Sequence, residues 1–195
     1  MIGLSVVSCT DDITDYNKNP KAAEEVTPDV TFTNAEKALG DLMTEISVGR
    51  NLMKLWTQHW TETTYNDEAN YDIIGRDPSA GFWARVYNTI LNDLSSSREA
   101  IAADNFTSEA VKANQLAIID VIEVYSMQTL VDLNGDVPYS EALNVVDNIT
   151  PAYDDAFTIY QDLISRVSAD VATLSNGGAS WGAADIYYGG DTSKW

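Results

Sequence analysis

Ala117-Ile118-Ile119-Asp120-Val121-Ile122-Glu123-Val124-Tyr125 lies in the middle of a segment, residues 108 to 133, whose apolar spacing decides the fold. Val111, Ala117, Ile118, Val121, Ile122, Tyr125, Thr129 and Leu133 recur mostly at three- and four-residue steps, which lays them along one face of an α-helix. Asn134-Gly135 then offers a left-handed stop. The same period extends to either side. Trp83, Val86, Tyr87, Ile90, Leu91, Leu94 and Ile101 predict a helix over 79–103, broken by Asp104-Asn105. Phe157, Tyr160, Leu163, Ile164, Val167, Val171 and Leu174 predict another over 154–175, capped by Asp154 or Asp155 and ended by Asn176-Gly177-Gly178. Nearest the N-terminus, Thr33-Asn34-Ala35-Glu36 has the form of a capping box. Ala35, Ala38, Leu39, Leu42, Ile46, Leu52, Leu55, Trp56 and Trp60 follow it and predict one long helix over 33–63.

Between these segments the chain is polar and punctuated. Residues 10–31 contain Pro20 and Pro28 and read as an extended lead-in. Residues 64–78, with Gly75 and Pro78, read as a loop, and residues 176–195 as a loop rich in Gly, Asp and aromatics. Strand signals are nearly absent, and the helix starts are unevenly spaced, unlike a regular solenoid. The expectation is an all-α domain over 32–175, four main helices in antiparallel pairs joined by long loops.

Composition limits the function. The 195 residues carry 11 Lys+Arg against 30 Asp+Glu, a formal charge of −19, with no basic cluster to meet nucleic-acid phosphates. Apolar residues at 45% and aromatics at 10% separate the chain from a disordered acidic tail. One Cys forbids an internal disulfide framework and a Cys-based zinc site, and one His removes most metal-hydrolase and Ser-His-Asp schemes. No run of eighteen apolar residues is present to span a bilayer.

The chain opens Met1-Ile2-Gly3-Leu4-Ser5-Val6-Val7-Ser8-Cys9, a short apolar run ending in small residues and the only cysteine. Residues 1–8 read as the remnant of a lipoprotein signal peptide, and Val6-Val7-Ser8-Cys9 resembles a bacterial lipobox with Cys9 as the lipidated residue. More than one acyl chain is needed for a firm anchor, and the freed amine of such a cysteine provides for it. The plain alternative is a buried apolar strand with an inert thiol. Thr10-Asp11-Asp12 follows, an acidic stretch similar to a surface-export signal.

One segment is specific: Asp132-Leu133-Asn134-Gly135-Asp136-Val137-Pro138-Tyr139-Ser140-Glu141-Ala142-Leu143. It resembles the D-x-x-G-D-V-P-Y-x-E-A-L hallmark of the SusD/RagB family, the surface glycan-binding lipoproteins of Bacteroidetes. Pro151-Ala152-Tyr153-Asp154 with Ile159-Tyr160, then Asp185-Ile186-Tyr187 with Gly190-Asp191 and Lys194-Trp195, are similar to further family blocks in the same order. Trp56-Thr57-Gln58-His59-Trp60 resembles the tryptophan-rich helix end of the SusD-like branch. The resemblance implies tetratricopeptide-like helical pairs. Family members are longer, so it also implies that this chain is an N-terminal part, cut before the C-terminal half. It further implies an outer-membrane, cell-surface location and a SusC-type TonB-dependent transporter as partner.

The residues of the hallmark have a reading of their own. Gly135 allows a positive φ, Pro138 forbids helix, and Leu133, Val137, Tyr139 and Leu143 can bury between the third and fourth helices. Asp132, Gly135, Asp136, Pro138 and Tyr139 therefore read as shaping a turn rather than touching ligand. Asp132, Asn134 and Asp136 imitate the start of a calcium loop, but Val137 and Leu143 occupy the positions that need Gly and Glu.

Other candidates are weaker. His59 and Glu62 sit three apart without the second His of a zinc motif, and paired acids such as Asp154-Asp155 arise readily among so many carboxylates. The paired glycines lack a following Gly-Lys-Ser/Thr. No cofactor is called for. The densest aromatic-plus-amide cluster runs through Trp56, Trp60, Tyr65, Asn66, Asp67, Asn70, Tyr71 and Asp72. Flat rings meet the C–H faces of sugars while polar side chains take the hydroxyls. Trp60, Tyr65, Asn66, Tyr71 and Asp72 are the candidate ligand residues. For Trp56 and Trp60, being on the apolar stripe, core packing is the favoured reading, and Tyr65 and Tyr71 suit either contact or plain exposure. The function expected is non-covalent capture of an oligosaccharide or other nutrient. An inverting glycosidase and a helical-repeat scaffold that binds peptide are the competing readings.

Overall fold

The computed structural model describes residues 26–45, 53–72 and 78–195. Cys9, the segment before it and most of the lead-in lie outside the described residues. The elements are α1 (Pro28–Thr44), α2 (Met53–Trp56), α3 (Pro78–Arg85), a π-helical turn (Val86–Leu91), α4 (Asn92–Ala103), α5 (Glu109–Asn134), β1 (Val137–Pro138), β2 (Tyr153–Asp154), α6 (Ala156–Leu174) and a 3-10 turn (Gly182–Ala184). The fold is all-α apart from the two-residue strands, which pair antiparallel with Val137 opposite Asp154 and Pro138 opposite Tyr153.

Helix α1 starts earlier than the capping-box reading puts it. Thr27 is extended, Pro28 takes the first helical position, where its missing N–H costs nothing, and Asp29 suits the positive helix end. The lead-in therefore ends at Thr27, not at residue 31. Thr33 and Glu36 lie inside the helix and face another part of the chain: Thr33 Oγ1 donates to Ala184 O at 2.7 Å, and Ile186 N donates to Glu36 Oε2 at 2.9 Å. Nor does one helix run on to residue 63. Helix α1 ends at Thr44 with Glu45 extended, and Gln58 adopts φ +59, a left-handed residue that turns the chain after α2.

Segments α3, the π turn and α4 form one continuous helical run over 78–103, as the spacing predicts, with an inserted wide turn. Asp104 closes it by accepting from Phe106 N at 2.7 Å. Ser108 caps α5 and Gly135, at φ +77, ends it. Asp155, not Asp154, caps α6, accepting from Thr158 N at 2.9 Å.

Helix α5 is central. It packs against α6 on one side and against the π turn, α4 and α3 on another, while α1 packs on α4 and the π turn. Burial on two sides explains why Ile119, Met127, Leu130 and Val131 are buried although they lie off the predicted stripe, whereas Tyr125 and Leu133, expected inward, reach solvent. Helix α6 packs chiefly on α5. Ile159, Leu163 and Leu174 are buried, and Phe157, Ile164 and Val171, also expected inward, are exposed. One contact stripe covers less than the whole apolar arc of a helix.

Candidate functional site

The aromatic loop that follows α2 is built on local bonds. Trp60 N donates to Lys54 O at 3.0 Å, returning the chain over the end of α2. Residues 66–72 fold on themselves, with Asn70 N donating to Asn66 O at 3.0 Å and Asp72 N to Asp67 O at 2.8 Å. Trp56 joins the two halves: its Nε1 donates to Glu68 O at 3.2 Å, and Tyr71 OH donates to Trp56 O at 3.1 Å. The Trp56 and Tyr71 rings face each other at 6.1 Å and 28°. Tyr65 at φ +57 and Tyr71 at φ +63 hold a backbone conformation that costs a side-chain-bearing residue roughly 1 kcal/mol or more, and such residues gather at functional loops.

Trp60 is 53% exposed, against the core packing its place on the apolar stripe favours. Left-handed Gln58 swings the chain off the helical stripe that would have turned Trp60 inward. Lys54 Nζ sits 5.1 Å from the ring centroid, a cation–π contact that holds the indole in place. A cavity of about 360 Å³ opens beside Trp60, lined also by Leu55, Gln58, His59, Thr61 and Ala69. Of the five candidate residues only Trp60 lines it. Tyr65 and Tyr71 are exposed, Tyr71 against Trp56, while Asn66 and Asp72 shape the turn through their backbones. Among the described residues no group of three or more His, Cys, Asp or Glu is arranged to hold a metal, and no helix is long and apolar enough to cross a membrane.

The polar groups of the hallmark segment bond to other parts of the chain. Asp132 Oδ1 accepts from Tyr160 OH, and Asp136 Oδ1 accepts from Ala156 N at 2.9 Å, at the N-terminus of α6, where negative charge is favoured. Pro138 O accepts from Tyr87 OH, which ties the segment to the π turn. Val137 is fully buried; Leu133 and Leu143, expected between the helices, stay partly exposed. Asp154 accepts from Tyr139 N and Ser140 N at 3.0 and 2.8 Å, which holds its carboxyl below the usual carboxylate range.

Tyr139 leads to a charge cluster that sequence reasoning missed. Its hydroxyl accepts from Arg166 Nη1 at 2.7 Å and donates to Asp162. Arg166 Nη2 donates to Asp120 at 2.6 Å and Glu123 at 2.7 Å, and Arg98 Nη2 reaches the same carboxylates at 2.7 and 2.9 Å. Burial pushes the neighbouring Asp170 up to about 7, and the Asp120 carboxylate adds to the rise. The Asp120-x-x-Glu123 spacing on one helix face was the available signal. A cavity of about 430 Å³ lies over the cluster, but both guanidiniums are engaged by carboxylates of this chain. The cluster joins α4, α5 and α6 rather than offering free charge to an anion.

The second sequence block that is more than a loop is the C-terminal one. Asp185, almost wholly buried, accepts from Tyr187 N, Tyr188 N and Gly190 N, each at 2.9 Å, and from Trp195 Nε1 at 2.7 Å. Burial alone would raise its pKa; the bonds from Trp195, Tyr188 and Gly190 outweigh that and lower it. Trp181 is buried with its ring 3.9 Å from Phe32 and parallel to it.

Comparison with curated proteins returns no match. The SusD-like family model, described as starch-binding associating with outer membrane, matches residues 20–195, which includes every described residue. An all-α chain, with the family's hallmark folded into the α5–α6 connection and an exposed tryptophan beside a cavity, therefore belongs to the SusD-like family of outer-membrane-associated starch-binding proteins.

Proposed function

We propose that this protein captures a neutral oligosaccharide by non-covalent stacking on the loop around Trp60, as a surface lipoprotein anchored through Cys9, and passes the cargo to a SusC-type TonB-dependent transporter. No bond is broken in this reading. The observation that carries it is the half-exposed Trp60 indole, held by Lys54 beside the cavity, in a chain of a starch-binding family. Tyr65 and Tyr71 add ring faces at the same loop, and Asn66 and Asp72 add polar groups. The net charge of −19 favours neutral over anionic glycans. Handover requires modest affinity, since tightly held cargo leaves slowly.

The test follows tryptophan fluorescence through thermal unfolding with maltoheptaose, other neutral oligosaccharides and peptides. A sugar is expected to raise the transition, and Trp60→Ala to abolish the rise while leaving the unliganded transition in place. A rise that survives Trp60→Ala would remove the loop as the site. A helical-repeat scaffold is the second reading, favoured by exposed Val145, Val146, Ile149 and Phe157; peptides alone would then move the transition.

A further inference from the structure

We propose that the cleft between α1, α5 and the C-terminal segment is a second carbohydrate subsite, where the rings of Tyr125, Tyr187, Tyr188 and Trp195 line the walls around a neutral pyranose. The inference rests on the glycan-capture reading above but places ligand at a different part of the molecule. The cleft has a volume of about 370 Å³, within the range of small-molecule sites. Its lining is mostly apolar, with Met43 and Gly40 from α1 and Tyr125 from α5, and contains no charged side chain. Ring faces without charge suit the C–H surface of a neutral sugar.

The rings are set before any ligand arrives. Tyr187 OH donates to Glu36 O at 2.5 Å, and Gly40 makes room for it: a Cβ at that position would lie 3.3 Å from the Tyr187 hydroxyl oxygen. Trp195 is fixed by its indole bond to Asp185, and Tyr188 by its backbone N–H to the same carboxylate. The Trp195 and Tyr188 rings stand edge to face at 5.1 Å and 86°, and Trp195 and Tyr187 lie 6.0 Å apart. One buried acid thus orients most of these rings, which lowers the ordering cost of binding. Tyr125 and Tyr188 remain 48% and 44% exposed, and their hydroxyls make no hydrogen bond among the described residues. Each can donate one bond and accept others from sugar hydroxyls.

The test titrates the full chain with maltoheptaose, with xylan and laminarin oligosaccharides in parallel, and follows the five indole N–H signals by NMR. The Trp195 signal reports the cleft and the Trp60 signal the α2 loop. Maltoheptaose, or one of the parallel sugars, is expected to move both. Tyr125→Ala should weaken the Trp195 response about tenfold and leave the Trp60 response unchanged. Tyr125 anchors nothing, so its loss should leave the melting curve intact. Should that variant misfold, the double change Tyr125→Phe with Tyr188→Phe keeps the rings and should weaken the Trp195 response about threefold. A sugar that moves Trp60 but not Trp195, or a Trp195 response indifferent to these variants, overturns the second subsite and leaves the capture reading standing. Silence of every indole toward all three sugars overturns both.

Discussion

Residues 53–72 and residues 176–195 are both short on regular structure and rich in aromatics, acids and amides, yet they end in opposite states. The first leaves Trp60, Tyr65 and Tyr71 in solvent, and Trp56, Tyr71 and the 66–72 turn bond one another. The second is fastened to the helices. Trp181 stacks on Phe32 and donates to Gln115 O at 3.1 Å, Asn114 Nδ2 donates to Gly177 O and Ala179 O, and Thr33 and Glu36 of α1 bond Ala184 and Ile186. Composition does not separate the two regions. What the C-terminal segment has is a set of side chains on α1 and α5 that bond its backbone.

The largest effect expected from this contrast comes from truncating one tryptophan in each region. Trp181→Ala removes a ring packed in the core and should cost about 3–5 kcal/mol of stability. Trp60→Ala removes an exposed ring and should change stability by no more than about 0.5 kcal/mol. Urea unfolding of both variants checks this. Comparable losses would mean that the α2 loop is as much part of the core as the C-terminal segment.

How far sequence alone reached follows the same line. The π-containing run, α5 and α6 were legible because each repeats its apolar residues at helical spacing and carries a cap or stop within a residue or two of the observed end: Asp104, Ser108, Gly135 and Asp155. Thr33 and Glu36 misled, because a Thr-x-x-Glu pair looks the same whether it caps its own helix or bonds a loop some 150 positions away. The extent of the first helix was misjudged for a related reason. The apolar period carries through Trp56 and Trp60, and nothing in that period announces left-handed Gln58. The ring cluster of the α2 loop was visible as composition, but exposure of Trp60 follows from that turn. The cleft of Tyr125, Tyr187, Tyr188 and Trp195 was invisible, since its four rings meet only when the C-terminal segment lies along α1 and α5.

A smaller effect, and one that depends on pH, sharpens the role of α1. Burial pushes Glu36 up to about 8, the Ile186 amide opposes the rise, and the Asp185 carboxylate adds to it. Glu36 is fully buried beside the Asp185 carboxylate, a position that favours its neutral form. The folded value lies above the unfolded 4.5, so the stabilisation is fully present below about 4.5 and is lost as pH rises through about 8. Glu36→Gln keeps an acceptor for Ile186 and a donor toward Asp185 at every pH. It should flatten the melting temperature between pH 4.5 and 8, and above that raise stability by about 2 kcal/mol over the parent chain. A variant that loses stability equally at all pH values would show that Glu36 is charged in the folded protein.

The smallest effect compares two tyrosine hydroxyls that perform the same task in the two regions, each donating to a backbone carbonyl. Tyr187 OH reaches Glu36 O at 2.5 Å from a half-buried position, and Tyr71 OH reaches Trp56 O at 3.1 Å from an exposed one. Tyr187→Phe removes a shielded bond, and its loss should cost about 1 kcal/mol of global stability. Tyr71→Phe removes a bond that water replaces, so the global transition should move by less than about 0.5 kcal/mol. The local effect should be larger than the global one. Amides of residues 66–72 should exchange faster in Tyr71→Phe, because that hydroxyl ties the turn to the end of α2. Equal global losses from the two variants would break the comparison, and would place the α2 loop inside the same cooperative unit as the C-terminal segment.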